Sequence, residues 1–73
     1  MMNAEEINKI LKEAGVTQAD IADNLEPTPV RQSAVNQVIH RKQTSKRIQV
    51  AIFDVANTVR RVTFEDIWGR SLN

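Results

Sequence analysis

The 73-residue chain is long enough for one small domain, with 41% hydrophobic residues, 4% aromatic residues and a net charge of +1. It contains no cysteine, which excludes a disulfide scaffold and thiol-ligated zinc or iron–sulfur sites. No apolar run approaches the roughly 18 residues of a membrane span, and the acidic start lacks a signal-peptide core. We therefore expect a cytoplasmic protein with a single domain over residues 1–73.

The charges are distributed unevenly along the chain. Residues 1–30 hold two basic and six acidic residues, whereas residues 31–73 hold eight basic and three acidic ones. Five of these bases lie between Arg31 and Arg47, where there is no acid. This asymmetry favours a face directed at a polyanion, although a solvated basic surface would carry the same pattern.

The first predicted helix covers about residues 4–14. Ile7, Ile10 and Leu11 follow the i, i+3, i+4 spacing of one helix face. Asn3 is a suitable N-cap, and Gly15 is a suitable stop because glycine readily adopts the left-handed conformation that ends helices.

The second predicted helix covers about residues 17–25. Thr17 and Asp20 have the spacing of a capping box, with Asp in place of the preferred Glu or Gln. Pro27 ends this helix, because the residue before a proline is disfavoured in the helical conformation.

The third predicted helix covers about residues 30–41. Thr28 and Pro29 resemble an N-cap followed by proline at the first helical position. A start near Ser33 is also compatible with the sequence, which leaves the two starts open.

Two further helical segments follow, over about residues 45–57 and 64–68. The first carries an apolar stripe that includes Ile48 and Ile52, and the second is capped by Thr63 and ended by Gly69. No segment alternates as a strand would, so the predicted fold class is all-α, with four helices and a short C-terminal helical turn.

The third helix separates its residue types into two faces. At about 100° per residue, its polar face carries only amide, hydroxyl and imidazole groups, whereas a solvated face usually carries Lys and Glu. Asn and Gln each present a donor and an acceptor, which is the chemistry that reads adenine in the major groove. The candidate base-reading residues are Gln32, Ser33, Asn36 and Gln37; the apolar face comprises Ala34, Val35, Val38 and Ile39.

The segments 17–25 and 33–39 together resemble the helix-turn-helix of lambda-repressor-like (Cro-type) regulators. The family's packing positions match Ile21, Ala22, Leu25, Val35 and Val38. Lys46-Arg47-Ile48, Ala51-Ile52 and Glu65-Asp66-Ile67-Trp68 look like the Ner-type regulators of phages and prophages. The resemblance covers about residues 7–70. One departure is the turn Glu26-Pro27-Thr28-Pro29, which is about three residues longer than the family's usual turn.

The resemblance implies a sequence-specific DNA-binding regulator, and in particular a phage or prophage repressor in the bacterial cytoplasm, associated with the nucleoid. Its partner is then a double-stranded DNA operator, bound by a homodimer. In the family, a glutamine at the position of Gln18 approaches DNA at the start of the second helix. With the bases around the third helix, the candidate phosphate contacts are Thr17, Gln18, Arg31, His40, Arg41, Lys42, Lys46 and Arg47.

Other functions are less compatible with the sequence. His40 is the only histidine, and no nucleophile–base spacing or glycine-rich phosphate loop occurs, so we expect no enzyme, no metal and no cofactor. The alternative is a small helical protein–protein interaction module of a regulatory complex. That alternative requires exposed Leu, Met or aromatic side chains, which the third helix lacks.

Overall fold

A computed structural model describes residues 1–69, and all regular structure in this range is helical. This confirms the predicted all-α class. The helices are α1 (Ala4–Ala14), α2 (Gln18–Asp23), α3 (Gln32–Ile39), α4 (Lys46–Ala56) and α5 (Phe64–Trp68). Arg70 lies outside the described residues. It is one of the eight basic residues of the segment 31–73 and the last residue that the resemblance covers.

Three of the helices begin with a capping box, which confirms the predicted N-caps Asn3, Thr17 and Thr63 and the predicted box at α2. The pairs are Asn3 with Glu6 at α1, Thr17 with Asp20 at α2 and Thr63 with Asp66 at α5. In each pair the side chain of the cap residue accepts a hydrogen bond from the backbone N–H of the acidic residue. The acidic side chain in turn accepts one from the backbone N–H of the cap residue. Gly15 ends α1 in the left-handed conformation (φ 72°), which also confirms its predicted role.

The predicted start of the third helix near residue 30 is wrong. Arg31 has an extended backbone (φ −79°, ψ 149°), so α3 begins at Gln32, close to the later start that the sequence left open. The N–H of Val30 donates to the carbonyl of Ala22 at 3.0 Å, which directs this stretch back along α2. Pro29 is therefore part of the turn and not the first residue of the helix.

Helices α2 and α3 are also shorter than predicted at their C-terminal ends. Helix α2 ends at Asp23, where both the backbone N–H and the side chain of Asn24 donate to the carbonyl of Asp20. Helix α3 ends at Ile39, because Arg41 adopts a left-handed conformation (φ 59°) and the chain turns away. The turn between α2 and α3 therefore spans residues 24–31, and it contains a cis peptide bond between Glu26 and Pro27.

One cluster of buried side chains joins all five helices. Helix α2 packs on α3 and α4, while α1 and α5 both pack on α4. The five residues that the resemblance assigns to packing are all buried, including Leu25 in the turn after α2. The largest fully buried side chains are Ile7, Ile39, Ile48, Ile52, Ile67, Val35 and Val38.

The C-terminal helix α5 is fixed to the rest of the molecule through Trp68. This side chain is 9% exposed, and its indole Nε1 donates to the carbonyl of Gln49 in α4 at 3.1 Å. The ring of Phe64 meets that of Phe53 edge-on, with centroids 5.9 Å apart. Through these contacts Phe64 and Trp68 pack the C-terminal helix onto α4.

No helix within residues 1–69 has the length and apolar character needed to span a bilayer.

Candidate nucleic-acid interface

The two faces of α3 differ in exposure as the sequence predicts. All four candidate base-reading side chains are exposed, namely Gln32, Ser33, Asn36 and Gln37. On the opposite face, Val35, Val38 and Ile39 are 0%, 1% and 0% exposed. Because these three side chains hold α3 against the core, the amide-bearing face projects into solvent from a fixed support.

One of the exposed amides belongs to a hydrogen-bonded chain that crosses three helices. Asn36 Nδ2 in α3 donates to Gln18 Oε1 in α2 at 3.3 Å, and Gln18 Nε2 donates to Asn8 Oδ1 in α1 at 2.9 Å. The directions of these two bonds fix which end of the Gln18 amide faces each neighbour. Asn36 retains its Oδ1 acceptor and a second N–H donor for an external partner.

The N-termini of α3 and α4 differ from the other three helix starts. Neither Arg31 before α3 nor Ser45 before α4 makes a side-chain capping bond in the described part of the chain. Both helix starts lie in the segment from Arg31 to Arg47, which contains five bases and no acid. Unsatisfied N–H groups and basic side chains together give this segment a positive potential.

Arg41, a predicted phosphate contact, is directed at the C-terminal helix. Its Nη2 donates to the carbonyl of Ile67 at 2.8 Å, and its Cζ lies 5.6 Å from the centroid of the Trp68 ring. Arg41 occupies the left-handed position of the motif that ends α3, in which Lys42 N–H donates to the Gln37 carbonyl. The side chain thereby joins the C-terminal end of α3 to α5.

Arg47 and Lys46, two further predicted phosphate contacts, also have partners within the protein. Arg47 Nη1 lies 3.0 Å from the carbonyl oxygen of Glu26 and 3.3 Å from that of Thr28, both in the turn before α3. Lys46 Nζ lies 4.5 Å from the centroid of the Phe64 ring.

The remaining phosphate candidates differ in how they are held. Arg31, His40 and Lys42 are exposed, and within residues 1–69 their side chains make no hydrogen bond or ion pair. Thr17 caps α2 with its hydroxyl group, and Gln18 belongs to the amide chain described above. The candidate residues therefore have unequal freedom to meet an external ligand.

Sequence reasoning missed Asn8 and the partners of Arg41 and Arg47. Asn8 lies on α1, ten residues before Gln18, and no local pattern associates the two side chains. The arginine partners are backbone carbonyls, which every residue carries, so residue identity gave no signal for them. Arg60, in the linker after α4, forms an ion pair with Glu13 of α1 at 2.6 Å.

No group of three or more His, Cys, Asp or Glu side chains within residues 1–69 is arranged to hold a metal ion. Comparison with known proteins found no matching family model, no similar curated protein and no similar solved structure.

Proposed function

We propose that this chain is a sequence-specific DNA-binding transcriptional regulator of the lambda-repressor-like type, in which α2, the turn 24–31 and α3 form the helix-turn-helix. By its resemblance to Ner-type proteins it acts as a phage or prophage repressor, in the cytoplasm and on the bacterial nucleoid. Helix α3 is the reading helix and enters the major groove.

The observation that carries the proposal is the exposed, uncharged amide face of α3. Lys and Glu are the side chains that solvated helix faces usually carry, and this face has none of either. An Asn or Gln amide can form two hydrogen bonds with adenine, worth about 1–3 kcal/mol of discrimination. Asn36 is best placed for this role, because its bond to Gln18 orients its amide before DNA arrives.

The charge around α3 supplies the sequence-independent part of binding. Arg31 and Lys42 lie just before and just after α3, where their exposed cationic groups are available to phosphates on either side of the groove. The uncapped N–H groups at the starts of α3 and α4 add donors of the kind that phosphate binds. Lys46, His40, Thr17 and Gln18 complete the proposed set of phosphate contacts.

The specific complex contains two copies of the chain on an inverted repeat. One reading helix of eight residues covers few base pairs, and pairing two such helices about one helical turn (~34 Å) apart multiplies specificity. Selected sites without an inverted repeat, together with one chain per duplex by native mass spectrometry, would contradict this part of the proposal.

The proposal is tested by selecting bound duplexes from a random pool and measuring competition between the selected site and random DNA. Asn36→Ala is expected to reduce this preference by about 10-fold, within the range for one amide–adenine contact. Asn57→Ala is the matched control, because it removes an exposed amide at the C-terminal end of α4 that is not among the candidate DNA contacts. A pool that enriches no sequence would overturn the proposal.

The alternative function, a protein–protein interaction module, has one observation in its favour. A groove between the turn 24–31 and α4 has Leu25, Val50 and Ala51 as its apolar lining, and Val50 is 38% exposed. Three small or medium apolar side chains form a smaller hydrophobic surface than the grooves that bind an amphipathic helix. DNA binding is therefore the better supported function. If the selection enriches no duplex, this groove is the surface to test for binding of a protein partner.

A further inference from the structure

We infer that Arg41 and Arg47 are positioning residues that fix the two ends of α3, and that they do not act as phosphate contacts. The inference rests on the proposed function, because it assigns their role in DNA reading. It divides the basic segment into arginines that hold the reading helix and cations, such as Lys42, that meet phosphate.

Arg47 acts at the N-terminal end of α3. The turn 24–31 is long, and most of its side chains are exposed; Leu25 is its buried member. A single guanidinium nitrogen of Arg47 lies within 3.3 Å of two carbonyl oxygens of this turn, those of Glu26 and Thr28. Because Arg47 is on α4, these bonds tie the turn, and with it the start of α3, to a helix of the core.

Arg41 acts at the C-terminal end of the same helix. Its backbone is in the left-handed conformation, which is unfavourable for residues other than glycine. Its guanidinium donates a hydrogen bond to the last turn of α5. Arg41 is the second residue after α3, so its bond to the Ile67 carbonyl fixes the point where the chain leaves α3. The charge is close to the Trp68 ring, which further favours this orientation.

These contacts compete with phosphate binding by the same groups. Binding of phosphate by Arg47 Nη1 would withdraw this nitrogen from both carbonyls, and the turn would lose its bond to α4. The other guanidinium nitrogens are held in the orientation that these two contacts fix, which restricts their approach to a phosphate. Lys42 has no such conflict, since its side chain makes no hydrogen bond or ion pair in the described part of the chain. The two side chains carry the same charge in the same segment, which makes them a matched pair for an experiment.

The test compares Arg47→Met with Lys42→Met, each of which removes one positive charge and keeps an aliphatic stem. For Arg47→Met we expect the preference for the selected site over random DNA to fall about 10-fold, with an unchanged dependence of affinity on salt. For Lys42→Met we expect an unchanged preference and a salt slope shallower by about 0.9, the value for one lost phosphate contact. Arg41→Met is expected to behave as Arg47→Met does.

Two outcomes would overturn the inference. If Arg47→Met flattens the salt slope and preserves the preference, Arg47 is a phosphate contact. If it only lowers the melting temperature, Arg47 stabilises the fold without positioning α3, because a smaller folded fraction weakens binding to both duplexes equally and leaves their ratio intact.

A second measurement tests the positioning role of Arg47 without DNA. Its result distinguishes a failure of this inference from a failure of the proposed DNA-binding function. The Val30 N–H, bonded to the Ala22 carbonyl, reports opening of the turn. Arg47→Met is expected to speed hydrogen exchange at Val30 about 5- to 10-fold, with little change at Leu11 in α1 and no change in Lys42→Met. An unchanged Val30 rate would overturn the positioning role, whether or not the chain binds DNA.

Discussion

The helix starts divide the molecule into two regions. Helices α1, α2 and α5 begin with capping boxes, in which neighbours in sequence satisfy the first N–H groups. Helices α3 and α4 begin at Arg31 and Ser45, which make no capping bond in the described part of the chain. The first region places acids at its helix starts, as the helix dipole favours, whereas the second places bases there.

The difference shows that the two regions obtain their order from different sources. The capped helices are specified locally, by pairs of residues three apart. Helix α3 depends on contacts with distant parts of the chain. Its own Val35 and Val38 are buried in the core, Gln18 of α2 bonds to Asn36, and Arg47 of α4 bonds to the turn before α3. A segment organised in this way leaves its own polar groups available to a ligand, at the cost of local stability.

The largest effect that tests this comparison is loss of core packing under α3. Val38→Ala is expected to lower the free energy of unfolding by about 2–3 kcal/mol, because it leaves a cavity among side chains that are almost fully buried. Asn3→Ala, which removes a cap from α1, is expected to cost about 1 kcal/mol. Thermal melts of the two variants measure both values. Equal losses would mean that α3 depends on tertiary packing no more than α1 depends on its cap.

The second effect concerns the cations of the α3–α4 segment. If about three of them per subunit contact phosphate, each bound subunit should contribute about a 40-fold loss of duplex affinity between roughly 50 and 200 mM salt. Arg31, Lys42 and Lys46 are the expected contributors, with Arg41 and Arg47 held by protein groups. Titrations against selected and random duplexes measure the slope. A slope near zero would show that the basic segment is an ordinary solvated surface.

A third, smaller effect is expected from a substitution that stabilises the start of α3 and weakens DNA binding. Arg31→Ser introduces a capping side chain at an extended N-cap position, so α3 should gain about 0.5–1 kcal/mol. The same change removes a cation, so the salt slope should become shallower by about 0.9. Lys42→Ser is the control, since it removes an equal charge where no cap is formed. A stabilised Arg31→Ser variant with undiminished DNA affinity would contradict the assignment of Arg31 to phosphate.

The same comparison explains how much of the fold could be predicted. The caps at Asn3, Thr17 and Thr63 were predictable because each depends on side chains three residues apart. The polar and apolar faces of α3 were also predictable, since helical periodicity alone separates Val35 and Val38 from Asn36. These features are encoded in short windows of sequence.

The features that depend on distant groups could not be predicted in this way. The start of α3 was placed too early because Thr28 and Pro29 satisfy the local rules for a helix start, whereas the Val30–Ala22 hydrogen bond across the turn determined the outcome. The bonds of Arg41 and Arg47 to carbonyls 26 and 19–21 residues away have no local signal. The candidate site was therefore predictable in composition but not in how its cations are held.

The smallest expected effect lies in the self-capped region and depends on pH. The pKa of Asp66 lies below its ordinary value of 3.8, because the backbone N–H of Thr63 and then its side chain donate hydrogen bonds that favour the charged carboxylate. A carboxyl group with a lowered folded-state pKa stabilises the fold fully above its unfolded pKa, and this contribution is lost as the pH falls through the folded value.

The capping box of α5 should therefore weaken only below about pH 4, and Trp68, buried in the same helix, is the natural reporter. We expect its fluorescence to change in this window in the native chain and to change less in Asp66→Asn, which retains an acceptor oxygen but has no proton to gain. The carboxylate is exposed, so the expected difference is small. Identical acid titrations of the two chains would show that the box holds α5 through geometry alone, and that the charge at its first turn adds nothing to the cap.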